Sequence, residues 1–153
     1  MSDDARFEDG FGGPLNVGAV DPDDIKVISA LVQDAVFPVT EIRWLRSDRK
    51  FALLLNRFRW ELGGGAPERV QSLLVVSDVL NVESQGVDRS QRETVLSLLS
   101  IGFEPVADGG GHIVFLLAGD GALRVEVEAV DLRLKDVTRP YVAPSGRAPS
   151  HEV

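Results

Sequence analysis

The 153-residue chain suits one domain with a substantial core, and its 44% hydrophobic and 26% charged residues are ordinary globular values. Without cysteine it can form no disulfide, thiolate nucleophile or common structural zinc site. A net charge of −8 opposes general association with nucleic acid or anionic membranes.

Residues 1–14 are rich in Asp and Gly and read as a flexible arm. The acidic start, Met-Ser-Asp-Asp, leads into no long apolar run, which argues against a secretory signal and for a cytoplasmic protein. No stretch approaches the roughly 20 apolar residues of a membrane-spanning helix. "NVGAV" (16–20) predicts a short strand, and "DPDDIKVISALVQDAV" after it predicts a helix. Asp21 can cap the orphan amides, Pro22 suits the first helical position, and Asp23 and Asp24 favour the positive end of the dipole. Ile25, Ile28, Leu31, Val32 and Ala35 form one apolar stripe at helical spacing, and Phe37-Pro38 ends it. This places Asp34 in the last helical turn, where the dipole disfavours a carboxylate and a neighbouring arginine would compensate.

The rest reads as strands. "TEIRWLRS" (40–47) and "RKFALLLNRFRWE" (49–61) are joined by a polar turn, and "GGGAPE" (63–68) is a loop. "VQSLLVVSDVLNVESQG" (70–86) bends near Ser77-Asp78, "VDRSQRE" (87–93) is a polar connection, and "TVLSLLSIGFEP" (94–105) is a further strand. "ADGGGH" turns the chain into "IVFLLAGDGALRVEVEAVDLRL" (113–134), where Gly119-Asp120-Gly121 signals a hairpin. From Thr138 onward, a tail with three prolines should be disordered, leaving residues 15–137 as one domain.

Alternation sorts the second of these strands into two faces. Ala52, Leu54, Asn56, Phe58 and Trp60 share one; Phe51, Leu53, Leu55, Arg57, Arg59 and Glu61 share the other. The expectation is that Leu54, Phe58 and Trp60 are core and that Arg57 and Arg59 emerge at a rim. "LLVV", "LSLLSI" and "IVFLLA" are apolar on both faces, more than one helix can cover. Either the sheet curls into a barrel or sandwich, or a second subunit covers it. The predicted fold is therefore α+β: one N-terminal helix on a strongly curved, mainly antiparallel sheet of about seven strands, with a homodimer as the expected assembly.

Residues 41–70 carry seven Lys/Arg against four acids, a local charge of +3 that leaves −11 on the remainder. Arg57 and Arg59 can form a fork for a carboxylate or phosphate, unless they pair with Glu61, Glu41 or a neighbouring strand. With Asp34, Asn56 and the loop residues Asp88 and Arg89, they make up the candidate anion- or partner-binding set; for Asp88 the competing reading is a turn closed by its own side chain. Nucleic-acid recognition is disfavoured, because Lys50 runs directly into Phe51 and the other aromatics lie on the opposite, more apolar face. Gly63–Gly65 and Gly109–Gly111 lack the Gly-Lys-Ser/Thr of a phosphate loop, no Gly-x-Ser-x-Gly elbow occurs, and His112 and His151 are the only histidines. No catalytic residue, metal site or cofactor is nominated. The reading favours a non-enzymatic binding or interaction module, the alternative being a small-molecule or anion site lined by arginines and carboxylates, with catalysis open.

"QDAV", "FALLLNRFRWE", "GVDRSQRETVLSLLSIGFEP" and "LRVEVEAVDLRLKDV" together resemble the alphaproteobacterial family DUF2948 over about residues 15–137. The resemblance implies a small cytoplasmic bacterial protein and supplies no activity, cofactor or catalytic residue. "LLVVSDVLNVESQG" is also similar to a strand pair of pleckstrin-like sheets, so a pleckstrin-like barrel is the alternative fold; that fold ends in a capping helix, whereas the helix here comes first.

Overall fold

A computed structural model describes residues 13–62 and 68–142. Most of the expected arm, the Gly63–Gly65 loop and the end of the expected tail lie outside them. Among the described residues one α-helix packs against an eleven-stranded antiparallel sheet.

Strand β1 (Asn16–Ala19) leads into helix α1 (Pro22–Leu31), whose Asp21 carboxylate accepts a hydrogen bond from the Asp24 amide at 3.1 Å. Ile25, Ile28, Val32 and Ala35 are fully buried, as the stripe requires, while Leu31 is half-buried. The helix stops earlier than its apolar pattern suggests. Asp34 lies beyond it in the left-handed region (φ 64°), its amide bonded to the Leu98 carbonyl at 2.9 Å. Leu98 in turn donates to Ala35 at 2.8 Å, so strand pairing claims the segment that helical periodicity alone would have continued. Ile28→Ala should therefore cost about 2–5 kcal/mol. Leu31→Ala should cost less, and Asp21→Ala about 1 kcal/mol through the lost cap. Thermal melts of the three variants check that order.

The remaining strands are β2 (Val36–Pro38), β3 (Ile42–Leu45), β4 (Lys50–Phe58), β5 (Glu68–Val76), β6 (Val79–Gln85), β7 (Val95–Pro105), β8 (Gly111–Leu117), β9 (Ala122–Val127), β10 (Leu132–Asp136) and β11 (Tyr141–Val142). Their hydrogen-bonded order is β1-β10-β5-β4-β2-β7-β8-β9-β6, with β3 beside β4 and β11 beside β5. The count exceeds seven because residues 113–134 yield three strands rather than two, and Phe37-Pro38 and Tyr141-Val142 contribute short ones. The β8–β9 turn is the predicted hairpin, with Gly119 (φ 82°) and Asp120 (φ 69°) both in the left-handed conformation that such a tight reversal needs.

The sheet is bent, not flat. The chain turns at Ser77-Asp78 between β5 and β6, and Phe51 on β4 meets Phe115 on β8 with ring centroids 5.7 Å apart. Buried residues from β4, β5 and β10 and from β7, β8 and β9 share one core cluster. The inward half of the apolar excess is thus covered within the chain itself, while Leu99 on β7 and Leu116 on β8 stay 43% and 47% exposed. Helix α1 packs on β1 and β7, where the Ser29 hydroxyl accepts a hydrogen bond from the Ile101 amide at 2.9 Å. The path does not return to its start, so the sheet stays open with β1 and β6 at its ends and is not the closed pleckstrin-like barrel considered as the alternative.

The faces of β4 are the main correction. Phe51, Leu53 and Leu55 are fully buried and Leu54 only half-buried, so the core face is the one that continues into Arg57 and Arg59. Both arginines are buried, at 0% and 7% exposure, and neither lies at a rim. Phe58 is buried as expected, whereas Trp60 is half-buried.

Candidate functional site

Arg57 would be prohibitive to bury alone, and the fold does not leave it alone. Its Nε donates to the Ser72 hydroxyl at 3.0 Å and to Asp136 Oδ1 at 3.2 Å. Nη1 donates to Glu61 Oε1 at 2.9 Å and to the Phe58 carbonyl at 3.1 Å. Nη2 donates to Glu61 Oε2 at 3.0 Å and to both Asp136 oxygens at 3.0 and 3.1 Å. The Ser72 hydroxyl donates to Asp136 Oδ1 at 2.6 Å, and the Leu15 amide donates to Asp136 Oδ2 at 2.9 Å. All five guanidinium N–H groups are engaged. The Arg57–Asp136 pair thus ties β4, β5 and β10, the segment entering β1 and the turn after β4.

Burial pushes the Glu61 carboxyl up, but its hydrogen bonds and charge interaction with Arg57 outweigh this and hold it below its ordinary 4.5. Burial likewise works against the charged Arg57, and Glu61 and Asp136 reverse the balance and raise it. A carboxyl lowered by folding stabilises the native state above its unfolded value, and that contribution fades as pH falls through the folded value. Wild type should therefore exceed Glu61→Gln in stability above pH 4.5, and the two should converge on acidification below it. Chemical denaturation across that range measures the difference. Arg59 pairs with Glu68 through Nη1, its amide donates to the Glu68 carbonyl at 3.0 Å, and its Nε lies 4.0 Å from Glu61.

The other side of β4 presents a different group. Arg69, opposite Phe58 on β5, lies with its guanidinium carbon 3.8 Å from the Phe58 ring centroid and donates to Asn56 Oδ1 at 2.8 Å. Asn56 Nδ2 donates to the Tyr141 hydroxyl, and Tyr141 is the β11 partner of Arg69. Burial draws the Arg69 guanidinium below its usual value, while Tyr141 and Asp34 act in the opposite sense. The Trp60 ring lies tilted against Phe58 with centroids 5.6 Å apart and donates through Nε1 to the Gln33 carbonyl at 2.9 Å.

The six residues singled out from the sequence therefore fall into three places. Arg57 and Arg59 share the buried network through Glu61. Asp34 and Asn56 flank Arg69. Asp88 closes its own turn by accepting from the Ser90 amide and hydroxyl at 2.9 and 2.6 Å, which holds its carboxyl below the usual range. Arg89 is exposed on that turn, and among the described residues neither it nor Asp88 bonds to the other four. The basic stretch 41–70 is not one surface either. Arg43, Arg46, Arg49 and Lys50 stand at one end of β4 and Arg57, Arg59 and Arg69 at the other, roughly 26 Å away at strand rise. Sequence reading missed Ser72, Asp136, Arg69, Trp60 and Tyr141 as site residues. No group of three or more His, Asp or Glu among the described residues could hold a metal ion, and no described helix is long and apolar enough to cross a membrane.

The family model described as "Protein of unknown function (DUF2948)" matches residues 15–151. No curated protein and no solved structure matches the chain.

Proposed function

The chain belongs to the DUF2948 family of proteins of unknown function, and from its geometry we propose a non-enzymatic interaction module that docks a protein partner on the outer face of β4, β5 and β11. The observation that carries this reading is the arginine–aromatic group of Arg69, Tyr141 and Trp60. Trp, Tyr and Arg are the residues that dominate binding energy in protein interfaces. Here they stand together, with Tyr141 at 40% exposure and Arg69 held in place by Asn56 and the Phe58 ring. A guanidinium already positioned this way loses little freedom on binding. The Arg57 network supports the same reading from the other side, because a guanidinium with every donor engaged has none left for a substrate.

The test is a pair of variants, Arg69→Ala and Tyr141→Ala, each purified from its native host beside the wild type. Both should fold, and both should lose a partner that the wild type retains through affinity purification and native mass spectrometry. Retention of the same partner by both variants would remove this face from consideration. A homodimer, the assembly expected from the apolar strands, appears in the same mass spectrum as a doubled mass that the two variants abolish if copies of the chain dock through this face.

A further inference from the structure

At the other end of β4, the β3–β4 turn and the start of β6 enclose a cleft of about 400 Å³ lined by Trp44, Arg46, Arg49, Val79, Leu80 and Asn81. Four features of this corner are unusual together. The Trp44 indole packs on the core, yet its Nε1 is buried with no acceptor among the described residues. Such a donor destabilises the fold until something accepts from it. Arg46 lies over the same indole, its guanidinium carbon 4.2 Å from the ring centroid, and pairs with no carboxylate among the described residues. Register shifts between Val79 and Asn81, and Leu80 in that bulge is 47% exposed against the cleft. Bulges of this kind re-aim side chains beside functional sites. Finally, Arg49 (φ 54°) and Asp78 (φ 58°) both hold left-handed conformations that disfavour side chains, a form of strain that clusters at ligand sites.

We infer that this cleft binds a monocarboxylate with an apolar body, the carboxylate on Arg46 and the body against Leu80 and Val79. Charge selects a monoanion. Arg49 is already paired with Glu128, leaving Arg46 as the cation without an acidic partner, whereas a phosphate dianion would call for both. A guanidinium meets a carboxylate in a two-point fork and stacks on an aromatic face without losing its edge donors. Arg46 is exposed, so a carboxylate held on it stands beside the Trp44 indole. The ligand's carboxylate can belong to a free aliphatic acid or to the C-terminus of an apolar peptide, and the two share the same recognition.

The two indole N–H signals of the full chain report the event directly in a proton–nitrogen correlation spectrum, with Trp60→Phe assigning them. Titration with hexanoate, or with a short peptide ending in a free leucine carboxylate, should move the Trp44 signal saturably. Hexanamide and the amide-capped peptide should not. The arm that works identifies the source, free acid or chain end. Arg46→Gln, a substitution at an exposed turn, should weaken the response roughly tenfold or more, the worth of a charge-assisted pair. The inference is overturned if neither carboxylate moves the signal, if the amides move it equally, if Arg46→Gln leaves it unchanged, or if inorganic phosphate competes as well as hexanoate.

Discussion

Asp136→Ala should be among the most destabilising single substitutions in the chain, at about 3–5 kcal/mol, because it leaves Arg57 buried beside half of its compensating charge. The loss has three parts. Three bonds from the Arg57 guanidinium go, the Ser72 hydroxyl loses its acceptor, and the Leu15 amide at the entry to β1 is released. Arg57→Ala should cost a similar amount for the reciprocal reason. Removing both charges is a different experiment. Arg57→Met combined with Asp136→Leu removes the desolvation penalty of the buried pair and leaves the part-exposed Glu61 to Arg59 and solvent, and such replacements of buried pairs are often neutral or stabilising. The double variant should therefore recover most of what either single variant loses, a large coupling in a double-mutant cycle. If the two single losses simply add, the network is not the tie described above. Urea denaturation resolves the four members of the cycle.

The same pair shows what could and could not be read beforehand. Leu53, Leu55 and Arg57 alternate on one strand, and Leu132, Leu134 and Asp136 alternate on another. Each is an apolar series ended by a charge, and the charges are opposite. Parity alone leaves two answers for each strand: either the charge turns the face outward, or the face stays inward and the charge is paired. The expectation of a rim took the first answer for Arg57. Strand order decides for the second, since β10 and β4 are both neighbours of β5 and bring the two charges together across Ser72. Pairing at that separation in sequence is a property of topology, which no local pattern carries.

Local chemistry was legible wherever it was local. The cap at Asp21, the bend at Ser77-Asp78 and the turn at Gly119-Asp120 all rest on residues within four positions of one another. The end of α1 was not, because the apolar stripe through Val32 and Ala35 persists while the backbone leaves the helix to pair with Leu98. Buried helix and buried strand demand the same residues there. Tyr141 was hidden for another reason. Its surroundings, flanked by Pro140 and Pro144, have the composition of a tail, and only the neighbouring edge of β5 at Arg69 makes a strand of it. The arginine–aromatic face thus depends on the one contact that composition argued against.

Phe51→Ala should cost about 3–5 kcal/mol, the usual range for deleting a buried aromatic. Phe51 is fully buried on β4 and meets Phe115 across the bend of the sheet, so its removal opens a cavity where the two halves of the sheet face each other. The tilted ring pair adds about 0.5–1.5 kcal/mol beyond the area it buries. Because Phe51 and Phe115 would leave one shared cavity, the double alanine variant should lose less than the sum of the two single losses. The decisive comparison is with Leu54, three positions along the same strand and on its other face. Leu54 is half-buried, so Leu54→Ala should fall well short of the loss at Phe51. A one-residue change of parity would exchange the two results, sending Leu54 into the core and Phe51 out of it. Arg57 travels with Phe51. If calorimetry finds Leu54→Ala the more damaging, Arg57 returns to the surface, its five engaged donors are lost, and the buried tie with Asp136 falls together with the core assignment.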